Sequence, residues 1–397
     1  MLRHFHSYVI RFQNHAQNQR ISCAPRQIRR RRRSFRPVDT MTWTYAAWLL
    51  LPENTTFADF ADRTATGERY VAARDLLYLP VYALALLALR CCFERLVSTR
   101  LAAALLIVPS ARTAPEPNGS LERAYCGGCV RPGGDEIARL SKRLDLSEKR
   151  LRTWFRRRRN RDRPDLLAKF KETSWRLFFY ALAFAYALAT LTGTPWFWDT
   201  RACWTGYPFQ PLQDATRRYY MLEGGFYLSL LVSLGRDNRR KDFAEQVVHH
   251  VATVSLIVFS YVSNFVRVGT LVMLVHDVSD VLLEAAKCAH YARRRRTADR
   301  LFAGFAVVFI ASRLVVYPRV VLYGTLVLSR EVVRRPFAGF CALNALLLVL
   351  QCLHVFWAYT ILRMAWKMRA AGGQLEQDDR SDVEEVSSGE EEEEVES

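Results

Sequence analysis

Five residues carry most of the chemical information in this chain: the adjacent pair His249-His250, and His276, Asp277 and Asp280 in the run HDVSD. Both groups interrupt stretches that otherwise read as membrane. VATVSLIVFSYV follows the pair, and VGTLVMLV precedes His276. Ionisable side chains inside a bilayer are costly, so they face the bundle interior and mark functional sites. Imidazole can act as a general base near neutral pH, or as a nucleophile forming an acyl-imidazole. A neighbouring carboxylate can hold its tautomer and stabilise the imidazolium. Two other readings use the same residues. Histidines and acids together can bind iron or zinc, but the repeated HxxxH or HxxHH spacing of membrane di-iron enzymes is absent, and no metal is expected. A polar network could instead tie helices together, with Arg267 or Arg313 as counter-ion. Adjacent histidines opposite an HD…D pattern exceed what packing requires, and favour catalysis.

The elements that must position these residues are two neighbouring spans joined by a turn near Asn264 to Arg267. His250 lies about 15 residues before that turn and Asp280 about 15 after it, so both sit roughly 20 Å from it at 1.5 Å per residue. On the second of these spans His276, Asp277, Asp280, Glu284 and Lys287 fall within an arc of about 100°, a polar seam that must face protein. Apolar runs of membrane-crossing length recur along the chain. About seven spans are expected, near 75–95, 175–195, 218–235, 246–264, 267–288, 300–328 and 338–366. Glu223, Gly224 and Gly225 interrupt the third, and 101–109 is too short to cross and reads as interfacial. The fold class is therefore an all-α polytopic membrane protein.

Charge sets the orientation. The chain has 57 Lys and Arg against 39 Asp and Glu, a formal net charge of +18. Arginine concentrates between apolar runs, which a soluble nucleic-acid binder would not explain. The basic segments 139–163, GRDNRRKDF and YARRRRTADR alternate with spans so that all three fall on one side, the cytosol. The carboxyl terminus is then cytosolic and the amino terminus lumenal. Asn54, in the sequon Asn54-Thr55-Thr56, faces the lumen as a glycosylation site. Residues 1–40 are basic, and Arg29 to Arg33 conflict with a lumenal position. A disordered tail, a transit-like peptide and an upstream extension before Met41 are the readings, the last favoured. Residues 371–397 form an acidic tail expected to be disordered, with Ser381, Ser387 and Ser388 as phosphorylation sites. Of nine cysteines, Cys126 and Cys129 form a CxxC without a second pair at zinc spacing. Cys91, Cys92, Cys288, Cys341 and Cys352 read as packing residues.

The stretch KDFAEQVVHHVATVSLIVFSYVSNFVRVGTLVMLVHDVSDVLLEAAKCAHYA resembles the Lag motif of ceramide synthases. The resemblance extends to RPDLLAKFKETSWR, TPWFWDTRACWTGYPFQPL, FIASRLVVYP and DDRSD, and so covers roughly residues 41–397. It implies a six-helix TLC-type bundle over 166–370, preceded by a lumenal segment and first span (41–100) and a cytosolic region (101–165). It also implies acyl-CoA-dependent N-acylation of a sphingoid base in the endoplasmic reticulum membrane, with acyl-CoA as co-substrate and no bound cofactor. His249, His250, His276, Asp277 and Asp280 carry over as catalytic residues. Arg239, Arg240, Lys241, Arg293 and Arg294 are expected at the cytosolic mouth, near CoA. A homo- or heterodimer with related synthases is expected. In this family acyl-chain length tracks the loop before the last span, here about 329–339. A non-catalytic TLC-type lipid-binding or sensing protein is the alternative.

Residues 135–163 resemble the last two helices of a homeodomain, with Leu140, Leu144, Leu146, Leu151, Trp154 and Phe155 as core. The first helix and minor-groove arm are expected to be missing. The adenine-reading asparagine is replaced by Arg157, which removes the main bidentate base contact, so DNA binding is not expected.

Overall fold

The computed structural model describes residues 47–64, 67–107, 114–162, 165–235 and 242–370. All of these lie within one compact unit, Thr44–Ser397. The described residues contain helices and no strand. A short helix, α1 (Phe57–Thr64), precedes the first long rod, α2 (Ala73–Ala104). Three short helices follow, α3 (Gly119–Cys126), α4 (Gly134–Leu144) and α5 (Glu148–Asp162). Six further rods complete the chain: α6 (Leu166–Leu191), α7 (Asp214–Ser233), α8 (Phe243–Val262), α9 (Val266–Tyr291), α10 (Arg295–Glu331) and α11 (Ala338–Ala370).

Among the described residues, five stretches are long and apolar enough to cross a membrane: α2, α6 with the helix before it, α8, α10 and α11. The expected count of seven is met by five on that criterion. The shortfall falls on α7 and α9, and the reason is chemical. Arg217, Arg218 and Glu223 lie within α7, and Asp277, Asp280, Glu284 and Lys287 within α9, so their mean hydropathy drops although their length does not. Residues 101–104, expected in an interfacial segment, continue the helix of α2 to its end.

The polar rod α9 is the hub, packing against α6, α7, α8 and α10. The second rod with buried charge, α7, lies between α2, α6 and α8. Gly225 is what allows α2 so close: a Cβ there would stand 2.5 Å from Cβ of Tyr82. The interruption of the third span is thus a contact surface. The turn between α8 and α9 rests on Asn264, whose φ of 56° suits asparagine better than most side chains. Its Nδ2 donates to the carbonyls of Pro208 at 2.7 Å and Gln210 at 3.1 Å, fixing the hairpin to the preceding loop. In α10 the backbone is π-helical over Ile310–Leu322 around Pro318. Such wider turns are rare and often found at functional sites; this one carries Arg313 inward, where it is buried.

Cys91, Cys92, Cys341 and Cys352 do not pack as expected. They lie on exposed outer faces, while Cys288 packs near Phe170 and Ala102.

Helices α3, α4 and α5 form a separate small core of Leu121, Ile137, Leu151, Trp154 and Phe155, with Tyr125 beside them. Leu140, Leu144 and Leu146 pack against it. The expected absence of a first helix is therefore corrected: α3 fills that place. It is only eight residues long, capped by Asn118, and its sequence GSLERAYC has too few apolar positions to show a helical period. Trp154 Nε1 donates to the carbonyl of Glu116 at 2.7 Å, and Arg158 pairs with Glu122 at 2.8 Å and with Asp162. The Arg158 guanidinium holds the Glu122 carboxyl below its ordinary range.

Gly225→Val should force α2 away from α7. Overpacking of this kind costs about 1–3 kcal/mol. A lowered thermal midpoint of the detergent-solubilised chain is expected; an unchanged midpoint would show that the close approach is not needed.

Candidate functional site

The site forms where α8, α9 and α11 meet, with α7 and α10 closing its sides. The imidazoles of His249 and His276 stack with centroids 6.2 Å apart. His250 lies 5.6 Å from His249, and Tyr227 of α7 borders both, at 6.4 Å from His249 and 6.0 Å from His250. The indole of Trp357 stands edge-on to His249 at 5.3 Å and is tethered by Nε1 to Asp242 at 3.2 Å. The Nδ1 atom of His249 is enclosed without a hydrogen-bond partner. The hairpin thus sets His249 against His276, and the three sequence-predicted histidines do come together.

The carboxylates are arranged differently. His276, Asp277 and Asp280 were expected on one seam, but they fan out to three neighbours because α9 is surrounded. His276 turns to α11, where its Nε2 lies 2.9 Å from Nε2 of His354. Asp277 turns to α7 and accepts from Tyr219 at 3.0 Å. Asp280 turns to α10 and accepts from Arg313 at 2.8 Å. Arg313 also donates to the carbonyl of His276 at 3.1 Å and to Ser279 at 3.0 Å. Arg313 is therefore the counter-ion that the sequence offered as one of two. The other, Arg267, lies at the far end of α9, donating to the carbonyls of Ala202 and Thr205 and stacking on Trp196. Further along α9, toward Arg293 and Arg294, Glu284 pairs with Lys287 at 2.6 Å.

Four contributors were not singled out in the sequence: His354, Trp357, Tyr219 and Glu223. Glu223 is fully buried beside Asp277. His354 is fully buried as well. The signal that exposed His249 also marks His354, an imidazole inside LLLVLQCLHVFWAY. Glu223 carries it too, but its two glycines disguised the run as a broken span. Tyr219 and Trp357 give no such signal, since aromatic residues are ordinary in membrane helices.

Below the histidines lies an apolar chamber between α8, α9 and α11. His276 lines its head, and Trp204, Phe265 and Phe340 line its opposite end. His276 and Phe265 are eleven residues apart, or about 16 Å along the helix. Most of its lining is apolar, with Tyr220, Ser260 and Asn344 partway down. Gly269 leaves room for the Tyr220 hydroxyl, which pairs with Ser260 at 3.1 Å. In the loop before α11, Phe337 packs on Phe265, a residue of the chamber's far end, at 6.3 Å.

The remaining sites are less central. Arg293 and Arg294 are exposed at the turn between α9 and α10. Asn54 is exposed in the turn before α1, with φ of 61°. Arg239, Arg240, Lys241, Ser381, Ser387 and Ser388 lie outside the described residues.

An all-helical membrane bundle with a buried histidine cluster above an apolar chamber defines the class. A family model described as TLC domain matches residues 169–363, and one described as Homeodomain matches residues 110–164. Ceramide synthase 5 of Homo sapiens is 44% identical over 350 residues, covering 88% of each chain. Ceramide synthase 4 of Homo sapiens is 43% identical, again over 88% of each, and ceramide synthase 3 of Homo sapiens is 40% identical over 82% of this chain and 85% of its own. The chain belongs to the ceramide synthase family.

Arg313→Met would take the guanidinium from Asp280 and the His276 carbonyl, leaving the Ser279 hydroxyl as their remaining side-chain donor. Removing one partner of a buried pair costs about 3–5 kcal/mol. A lower thermal midpoint is expected, partly restored when Asp280→Asn is added. A midpoint equal to the parent's in R313M would contradict the assigned role.

Proposed function

We propose that this chain transfers a fatty acyl group from acyl-CoA to the amine of a sphingoid base, forming ceramide or dihydroceramide, at the His249 cluster. One observation carries the site assignment: His276 belongs both to the histidine cluster and to the wall of the apolar chamber. A thioester held at the cluster can run its hydrocarbon tail into the chamber. Membership in the ceramide synthase family supports the reaction class.

In this mechanism His249 attacks the thioester carbonyl. A carbon–nitrogen bond forms, the carbon–sulfur bond breaks, and the imidazole proton leaves with CoA as the free thiol. His250 takes the ammonium proton of the sphingoid base. The amine then attacks the acyl-imidazole, the bond to His249 breaks, and the proton shed by the new amide returns to His249. Direct transfer with histidine as base only is the second version of the same site. Asp277 and Asp280 act through the helix they anchor, since their hydrogen bonds come from Tyr219 and Arg313. Phe337, packed on the chamber residues Phe265 and Phe340, supports the loop at 329–339 as the acyl-length determinant.

The positive-inside bias supports a cytosolic mouth in the endoplasmic reticulum membrane, with CoA near Arg293 and Arg294, Asn54 lumenal and the acidic tail cytosolic. Arg158, held by Glu122 and Asp162 inside the homeodomain-like unit, is a structural cation here. Arg157 in place of asparagine supports a role for that unit other than base reading.

Microsomes carrying the chain, fed sphinganine and a panel of acyl-CoAs, should make dihydroceramide. His249→Ala should abolish it, and Asp277→Ala should lower it by about 10²-fold, the scale on which a shift of about 1 Å in the reacting groups slows a reaction. Undiminished synthesis in both variants would refute the site.

A further inference from the structure

The proton positions on the His276–His354 pair follow from what surrounds it. Nδ1 of His276 lies 2.7 Å from the carbonyl oxygen of Val272, one turn back on α9. A carbonyl only accepts, so Nδ1 carries the proton. A neutral imidazole has a single N–H, and Nε2 of His276 is therefore a bare lone pair. The 2.9 Å contact with Nε2 of His354 then needs its hydrogen from the other ring. His354 donates from Nε2, and its own Nδ1 is bare. That Nδ1 is enclosed with no hydrogen-bond partner.

The ring of His354 is itself caged. Tyr317 stands at a right angle to it with centroids 4.8 Å apart, and Phe309 lies edge-on at 6.5 Å. Tyr317 is fixed by donating to the carbonyl of Leu347 at 2.9 Å. His354 thus has one orientation and one donor, aimed at one acceptor. With Nδ1 closed off among the described residues, the pair has no onward acceptor and cannot pass a proton along.

We propose that His354 is a positioning residue for the acyl transfer, locking His276 in its Nδ1–H tautomer and occupying its Nε2 lone pair. This rests on the reading of the His249 cluster as the transfer site, and divides labour within it. His276, its two nitrogens committed to Val272 and His354, is neither nucleophile nor base. It presents a fixed ring face against which His249 stacks at 6.2 Å. The reacting lone pair is left to His249, whose Nδ1 has no partner. A histidine in the last helix thereby takes His276 out of the set of histidines that can react.

The test compares His354→Gln, His354→Asn and His354→Leu in the full-length purified chain, with His249→Ala beside them. Glutamine carries an amide N–H to about the reach of Nε2, asparagine stops short of it, and leucine has no donor. The readouts are kcat and KM for acyl-CoA at saturating sphinganine, with elution profile and thermal midpoint for each variant. H354L should lose about 10²- to 10⁴-fold in kcat, the scale on which a wrongly held imidazole slows a catalytic triad, with KM for acyl-CoA within about threefold, since only the reacting geometry is lost. H354Q should recover most of that loss and H354N little of it. Parent-like kcat in a folded H354L overturns the inference, as does H354Q no better than H354N. The glutamine–asparagine comparison decides alone if H354L does not fold. H249A with full activity would sink the site reading itself, whereas an inactive H249A beside a parent-like H354L sinks only the role of His354.

Discussion

The costliest feature of this structure is the set of ionisable groups on α9, and the bundle is arranged to satisfy them. A carboxylate in hydrocarbon without a partner is costly. Asp280 has Arg313 at 2.8 Å, Asp277 has Tyr219 at 3.0 Å, and Glu284 has Lys287 at 2.6 Å. These partners come from α10, from α7 and from α9 itself. A helix needing donors on several sides must sit at the centre, and α9 does. The π-helical stretch in α10 has the same origin, since it brings a guanidinium to Asp280, Ser279 and the His276 carbonyl together. The glycines of α7 admit α2 on the far side of Glu223, enclosing that carboxyl completely.

This arrangement separates two tasks that a seam of adjacent charges would have mixed. The carboxylates hold helices in register, while the imidazoles gather at the head of an apolar chamber. His276 joins the two: its backbone carbonyl is held by Arg313, its ring is held by His354, and its edge faces the chamber. Loss of a carboxylate therefore reaches the reacting centre through the position of α9. The aromatic wall at the other end sets a limit on what fits, with Phe265 shared between the chamber and the loop before α11.

Much of this was legible in the sequence because intramembrane charge is rare. His249, His250 and His276 stand out against Val and Leu, and the turn at Asn264 fixes their relative depth. The fan of His276, Asp277 and Asp280 was not legible. A 100° step per residue gives directions around α9, but not which neighbour stands in each. Choosing Arg313 over Arg267 likewise required knowing which end of α9 meets α10. His354 carried the same signal as His249 and was obscured only by its distance along the chain from the motif. Helix α3 was missed because eight residues cannot show a hydrophobic period, although Leu121 and Tyr125 supply half of one wall of its small core.

The central claim is that His249 carries the acyl group between the two substrates. Intact-mass measurement of the purified chain after incubation with acyl-CoA alone, without sphingoid base, addresses it directly. The account predicts a mass increase of one acyl group in the parent and in His250→Ala, its disappearance on adding sphinganine to the parent, and no increase in His249→Ala. A parent that turns over both substrates yet never gains the acyl mass, or a His249→Ala variant that does gain it, would contradict the account.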